Sequence, residues 1–366
     1  IMRITSRALL ALTVGLALAP TTAVAQSDSL IALSTRFFAE ARVPGAQVAV
    51  VQRGAIVHLS AYGLANVPFR VPVTEATAFS IASATKSFAG VALMQLAEAG
   101  RVRLDDPIGR YVDSLPPAWR RVTLRQLITH TSGLPDVLNP ESGILIATPP
   151  EAAWAKVRRL PIIAPPATRW SYNQTNYWLL GLMMARVTGE PLHRAIERQF
   201  AAADMPTASI GDVRDVAAGT SDTYSYTRYA GDSSWRDTTL ERVVVDFPKQ
   251  LRLAAGVNTS ARDLARWLIA LRGGRLLKRP ASLDTLWASP RMADGKILGA
   301  GSATGYALGW PTFNDAAHPS VGGLGGGRAA FLVYPKDDLA VIVLTNLQGS
   351  SPERLATRIA ALYLQP

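Results

Sequence analysis

Ser83-Ala84-Thr85-Lys86 is the segment of this chain with the sharpest chemistry. Read as the start of a helix, the S-x-x-K spacing puts serine and lysine on one face, a turn apart, with the serine at the positive N-terminal end. An amine taken out of water favours its uncharged form and can accept the hydroxyl proton, while the helix amides favour the alkoxide and the oxyanion formed on attack. The same four residues would also suit a serine helix cap followed by a surface lysine. The surroundings favour chemistry. Residues 79–88 are largely small or apolar, and the chain has only 6 lysines beside 32 arginines. A lysine placed there is costly unless it is paired or neutral.

Two more segments offer reactive or substrate-holding groups. Trp170-Ser171-Tyr172-Asn173-Gln174-Thr175-Asn176-Tyr177 leads into a helical stretch containing Leu179, Leu180, Met183 and Met184. A tyrosine beside a polar amide and near a lysine can pass protons as acid or base. It can equally be a packing tyrosine fixed by local hydrogen bonds. Gly322-Gly323-Leu324-Gly325-Gly326-Gly327-Arg328 stands directly before a strand-like run. It matches neither G-x-G-x-x-G nor the P-loop, and phosphate-cradling loops normally open a helix. Bare backbone suits close approach to a substrate or an oxyanion-binding N–H, and it also suits a flexible or bulged edge strand.

The elements that must position these groups follow from periodicity. Apolar residues at Leu30, Ile31, Leu33, Phe37 and Phe38 predict a helix over 27–42, ending before Pro44-Gly45. Residues 47–51 and 55–62 read as a hairpin about Arg53-Gly54, and residues 329–334 and 339–344 as a second strand pair about Pro335-Lys336-Asp337-Asp338. A terminal helix is expected from Ser351 as cap and Pro352 at its first position, with Leu355, Ile359 and Leu362 as its apolar stripe. The middle reads as helical over 83–99, 124–129, 175–188, 192–203 and 261–271, joined by long Pro- and Gly-rich loops. The longest, 135–166, is expected to lack regular structure. Helix, hairpin, helical middle, hairpin and helix together predict an α/β (α+β) fold: an antiparallel sheet with both chain ends packed on it.

Composition excludes several classes. The 366 residues contain no cysteine, which removes disulfides, thiolate zinc sites, iron–sulfur clusters and cysteine nucleophiles. The histidines His58, His130, His193 and His318 form no H-E-x-x-H pattern, so no metal or other cofactor is expected. The net charge of +11 is spread out, with no run of five basic residues, and nucleic acid is not an expected partner. Residues 1–25 read as an export signal: Arg3 and Arg7, an apolar run over 8–19, and Ala23-Val24-Ala25 as an A-x-A cleavage site. That run is too short for a membrane span, and no later stretch reaches the roughly 20 apolar residues a span needs. A secreted or periplasmic protein without a stable membrane anchor is the expectation, beginning near Gln26 at about +9 once Arg3 and Arg7 are removed.

Taken in chain order, these segments resemble the serine β-lactamase-related family of class C β-lactamases, DD-peptidases and related carboxylesterases. The resemblance runs from about residue 42 to 348. It rests on the S-x-x-K block, Leu104-Asp105-Asp106-Pro107-Ile108, Thr123-Leu124-Arg125-Gln126-Leu127-Ile128-Thr129-His130-Thr131-Ser132-Gly133-Leu134-Pro135, residues 172–181, Ala254-Ala255-Gly256-Val257-Asn258-Thr259, residues 306–310 and residues 325–346. The resemblance implies a β-lactamase and penicillin-binding-protein fold over 26–366, with an antiparallel sheet flanked by helices, a helical lobe and the site between them. It implies Ser83 as acylated nucleophile, Lys86 as its proton partner and Tyr172 as the tyrosine of a Y-x-N element. Gln174 would stand where that element has asparagine, and the N–H groups of Ser83 and Gly326 would form the oxyanion hole, with Gly325 beside them binding substrate. His130 falls in a segment read as structural.

The third motif departs from the family. Aligning Gly325-Gly326 puts Gly323 where the family has Lys or His and Leu324 where it has Thr, so the group that grips a substrate carboxylate is missing. Only a structure can say whether Arg328 or His318 takes its place. The reading is a serine hydrolase acting through a Ser83 acyl-enzyme on a small ester, β-lactam or peptide, with esterase-like hydrolysis ranked first. The rival is a non-catalytic sensor that keeps the fold, motivated by Gly323, Leu324 and Gln174 and opposed by the intact Ser83, Lys86 and Tyr172.

Overall fold

The computed structural model describes residues 19–211, 218–227, 239–244, 247–297, 299 and 302–364. Most of the expected export signal, residues 1–18, lies outside the described residues, and residues 19–25 begin helix α1 (Ala19–Glu40). Arg53 and Gly54 both take positive φ, 50° and 73°, the two-residue turn whose twist suits an antiparallel hairpin. It joins β1 (Gly45–Gln52) to β2 (Ala55–Asn66), and β3 (Val71–Pro72) pairs with the far end of β2.

A two-residue strand, β4 (Phe79–Ser80), leads into a 3-10 turn over Ala82–Ala84 and then α2 (Thr85–Glu98). Thr85 to Met94 are all buried, so α2 is wrapped by protein on every side rather than on one stripe. Next come α3 (Leu124–Ile128), α4 (Pro150–Val157), α5 (Gln174–Thr188) and α6 (His193–Ala203). The expectation of an unstructured 135–166 is corrected by α4. Pro150 occupies a first helical position, where its fixed φ and missing N–H cost nothing. Strand β5 (Ser209–Ile210), the hairpin β6 (Tyr224–Thr227) and β7 (Thr239–Arg242), α7 (Arg252–Ala255), β8 (Val257–Thr259), α8 (Ala261–Arg272) and α9 (Pro280–Trp287) complete the middle. β8 is the centre of a small sheet in which Phe79 opposes Thr259 and Ser80 opposes Asn258.

The chain then returns to the large sheet with β9 (Gly305–Tyr306), β10 (Pro311–Phe313), β11 (Ser320–Gly325), β12 (Ala329–Tyr334) and β13 (Leu339–Thr345), and ends on α10 (Pro352–Ala360). The eight strands lie in the order β3-β2-β1-β13-β12-β11-β10-β9, so β1 from one end of the chain pairs antiparallel with β13 from the other. The glycine-rich motif, expected to precede a strand, is largely the strand β11 itself, and only Gly326 and Gly327 turn the corner into β12.

Strands β12 and β13 are buried at every position because both faces of the sheet are covered. Ala340, Ile342 and Leu344 face the core shared with α2 and α8, while Val341 and Val343 face Leu30 and Phe38 of α1 and Leu355 and Ile359 of α10. Ser351 does not cap α10 with its side chain. It sits at φ 55°, and its own amide donates to Gly327 O at 3.1 Å.

Candidate active site

Ser83 is partly exposed in the 3-10 turn that precedes α2. Ala82 before it has φ 45°, a conformation that a residue with a Cβ holds only when its surroundings enforce it. The enforcing bonds come from β8: Ile81 N–H donates to Val257 O at 3.0 Å, and Val257 N–H donates to Thr85 Oγ1 at 3.0 Å. As one of the first amides of a helix, Ser83 N–H has no intrahelical acceptor and is available to an anion.

Lys86 is 1% exposed and lies beneath the serine. Its Nζ donates to Ala254 O of α7 at 3.0 Å and reaches Ser83 Oγ at 3.4 Å. The same nitrogen stands 4.8 Å from the ring centre of Tyr172 and 4.9 Å from that of Tyr177. Both rings present π-faces that favour a cation. The structure therefore brings together Ser83, Lys86 and Tyr172, with Tyr172 38% exposed.

Tyr172 is placed from below by the segment after α3. The Thr123/Gln126 capping box starts α3, and its chain leaves through His130 at φ 61° and Gly133 at φ 70°. His130 O accepts from Ser171 N–H at 2.9 Å, and His130 Nδ1 accepts from Asn173 N–H at 3.0 Å. Its ring centre lies 4.4 Å from that of Tyr172 and 4.9 Å from that of Tyr306. His130 is completely buried, and burial together with the Lys86 charge holds its pKa well below the usual histidine range. It is thus a neutral imidazole bearing on the tyrosine. Tyr177 Oη donates to Ile128 O at 3.2 Å, and burial pushes the phenols of Tyr177 and Tyr306 well above the usual range, which keeps them protonated.

Gln174 is the first residue of α5, 6% exposed, and its Oε1 has no hydrogen-bond partner. Its backbone N–H donates to Asp136 Oδ1 at 2.9 Å. Burial raises the pKa of Asp136, and the amides of Gln174, Leu138 and Thr175 with the Lys86 charge act against that rise. Sequence reasoning did not single out Asp136, Tyr177, Tyr306 or the carbonyl of Ala254, although all but Asp136 lie in segments that carry the resemblance. A backbone carbonyl has no signature of its own, and a tyrosine in an apolar run reads as packing.

The glycine motif meets the nucleophile turn directly. A Cβ on Gly325 would come within 1.8 Å of Ile81 O and 2.9 Å of Ala84 N, so only glycine lets β11 lie this close. Gly326 follows on the exposed turn, near Ala82. Gly323 is no vacant binding position. A Cβ there would sit 2.3 Å from the ring of Phe331, itself fully buried, so a lysine or histidine side chain has no room. His318 precedes the opposite end of β11, where its Nδ1 lies 3.0 Å from Asp337 Oδ1, and it does not replace the missing cation. Arg328 is the basic residue at the right end of the strand, buried next to Gly326.

A family model described as beta-lactamase matches residues 30–365. The chain belongs to the β-lactamase family. This member is 25% identical over 338 residues to Protein flp of Staphylococcus aureus strain NCTC 8325, which covers 87% of this chain and 62% of that protein. It thus spans less than two thirds of the length of that curated relative. The octameric penicillin-binding protein homologue from Pyrococcus abyssi superposes with a TM-score of 0.78 at 25% identity, over 92% of this chain and 76% of that one. A penicillin binding protein from Bacillus halodurans shares the fold with a TM-score of 0.72 at 23% identity, over 90% of this chain and 100% of that one. The expected β-lactamase and penicillin-binding-protein fold is therefore the one found. No group of three or more metal-ligating side chains occurs among the described residues, and none of their helices is long and apolar enough to cross a membrane.

Proposed function

We propose that this protein is an exported serine hydrolase that works through a Ser83 acyl-enzyme, with small esters as its preferred substrates. The observation that carries the reading is the contact of Lys86 Nζ with Ser83 Oγ at 3.4 Å, with Ser83 itself partly exposed. Ser83 Oγ attacks the ester carbonyl as Lys86, in its uncharged amine form, takes the hydroxyl proton, forming a C–O bond and a tetrahedral oxyanion facing the amides of Ser83 and Gly326. Collapse breaks the bond to the leaving alkoxide, which receives the proton through Tyr172. Water then adds to the acyl-enzyme by the same route and releases the acid. Esters rank first because Gly323 leaves no space for a carboxylate-gripping cation on β11. The name of the Pyrococcus abyssi neighbour, a penicillin-binding protein homologue, supports penicillin-like substrates as the second reading.

Intact-mass spectrometry after a fluorophosphonate, a penicillin and a short p-nitrophenyl ester, each offered to wild type and Ser83→Ala, tests both readings. Ser83-dependent labelling with ester turnover and no penicillin adduct is the expected result. A penicillin adduct moves the assignment to β-lactam or peptide chemistry, and absence of any adduct leaves a non-catalytic sensor.

A further inference from the structure

Arg328 is 7% exposed, and among the described residues no carboxylate lies within ion-pair distance of it. Buried guanidinium groups are normally paired, because an uncompensated buried charge is strongly destabilising. Its contacts are with neutral groups. Nε donates to Ser80 O at 3.1 Å and Nη2 to Ser80 Oγ at 3.1 Å, linking the β11–β12 hairpin to the strand that enters the Ser83 turn. Its Nη1 lies 2.7 Å from the point a Cβ on Gly326 would occupy, and Ala82 Cβ lies 3.3 Å from that same point. Burial lowers its pKa only to about 10, so it carries its charge at neutral pH.

The unpaired charge thus stands behind Gly326 and the Ser83 turn, whose amides are the two expected to face the oxyanion. We infer that Arg328 is a positioning residue whose missing counter-charge is the oxyanion itself: its guanidinium ties the Gly326 turn to Ser80 and lends positive potential to the pair of amides as the tetrahedral anion forms. A fixed charge aimed at developing charge acts mainly in the transition state. This inference rests on the acyl-enzyme reading above.

The test compares wild type, Arg328→Met, Arg328→Lys and Ser80→Asp for thermal midpoint, for kcat and KM on a p-nitrophenyl ester, and for the rate of Ser83 labelling by a fluorophosphonate. Arg328→Met is expected to lower kcat and the labelling rate by roughly 10- to 100-fold with KM within about 3-fold, and Arg328→Lys to recover most of that loss. Ser80→Asp is the decisive variant, since it supplies the guanidinium with a carboxylate while leaving it in place. A rise in thermal midpoint accompanied by a fall in kcat of roughly 10-fold supports the inference. Ser80→Asp with a raised midpoint and unchanged kcat overturns it and leaves Arg328 a structural tether. Equal losses in the Met and Lys variants overturn it too. If Arg328→Met does not fold, the Ser80→Asp result decides. Wild-type Ser83 that takes no fluorophosphonate label overturns the acyl-enzyme reading and this inference together, whereas labelling at equal rates in wild type and variants overturns this inference alone.

Discussion

The two walls of the Ser83 site are built by opposite means. On the helical side, side chains do the work: Lys86 is held by a carbonyl 168 residues away in sequence and flanked by two tyrosine rings, while His130 supports one of them from below. On the sheet side, β11 contributes bare backbone, with glycine at 322, 323 and 325, and Gly326 follows in the turn. The first wall can move protons; the second can approach a carbonyl closely but offers no side chain of its own to grip one. On the proposed acyl-enzyme reading, such a site would select its substrate by shape and by an attackable carbonyl more than by a charged handle.

The strongest way to break the comparison is at Lys86. Lys86→Met keeps the volume and removes the proton acceptor, and Ser83 acylation is expected to slow by about 10²- to 10⁴-fold, measured by ester burst kinetics. A loss under tenfold would mean that another group takes the proton. On the opposite wall, Gly325→Ala drives a methyl into Ile81 O and is expected to cut kcat by roughly 100-fold while lowering the thermal midpoint. Gly323→Ala, two residues earlier, meets the Phe331 ring instead. It should cost about 1–3 kcal/mol of stability in a denaturant titration with kcat changed less than about 3-fold. Equal activity losses at 323 and 325 would erase the distinction drawn between a packing glycine and a site glycine.

The smallest effect concerns His130. Its folded pKa is depressed, so between its ordinary value near 6.5 and that lower value the unfolded chain binds a proton that the folded chain does not. Stability from this residue is therefore present above about pH 6.5 and lost as pH falls toward the folded pKa, by up to about 1.4 kcal/mol per pH unit. Thermal midpoints measured from pH 7 down to pH 5 should fall more steeply for wild type than for His130→Asn, which does not titrate there. Parallel curves would show that the imidazole is not the buried neutral group described.

Much of the scaffold was legible in the sequence. The Arg53-Gly54 turn, the strand pair about Pro335-Lys336-Asp337-Asp338 and the terminal helices follow from turn chemistry and apolar periodicity, which act over a few residues. The errors share a cause. The Pro-rich stretch 135–166 is expected to lack regular structure yet holds α4, Ser351 is expected to cap α10 but gives it no side-chain bond, and the glycine segment, open between substrate-facing backbone and an edge strand, is mostly the interior strand β11. In each case the local signal was ambiguous and tertiary contacts chose between its two meanings.

By itself, the sequence determined which groups are available: a serine and lysine at helical spacing, a tyrosine before a buried helix, a glycine-rich segment without a cation, and no cysteine. Only the tertiary structure decided where they act. It set Ala254 O against Lys86, folded His130 under Tyr172, and brought Arg328 to Ser80 across 248 residues. Side-chain identity is written locally, whereas the approach of a carbonyl, a bare strand or an unpaired charge arises only when distant segments pack to exclude water.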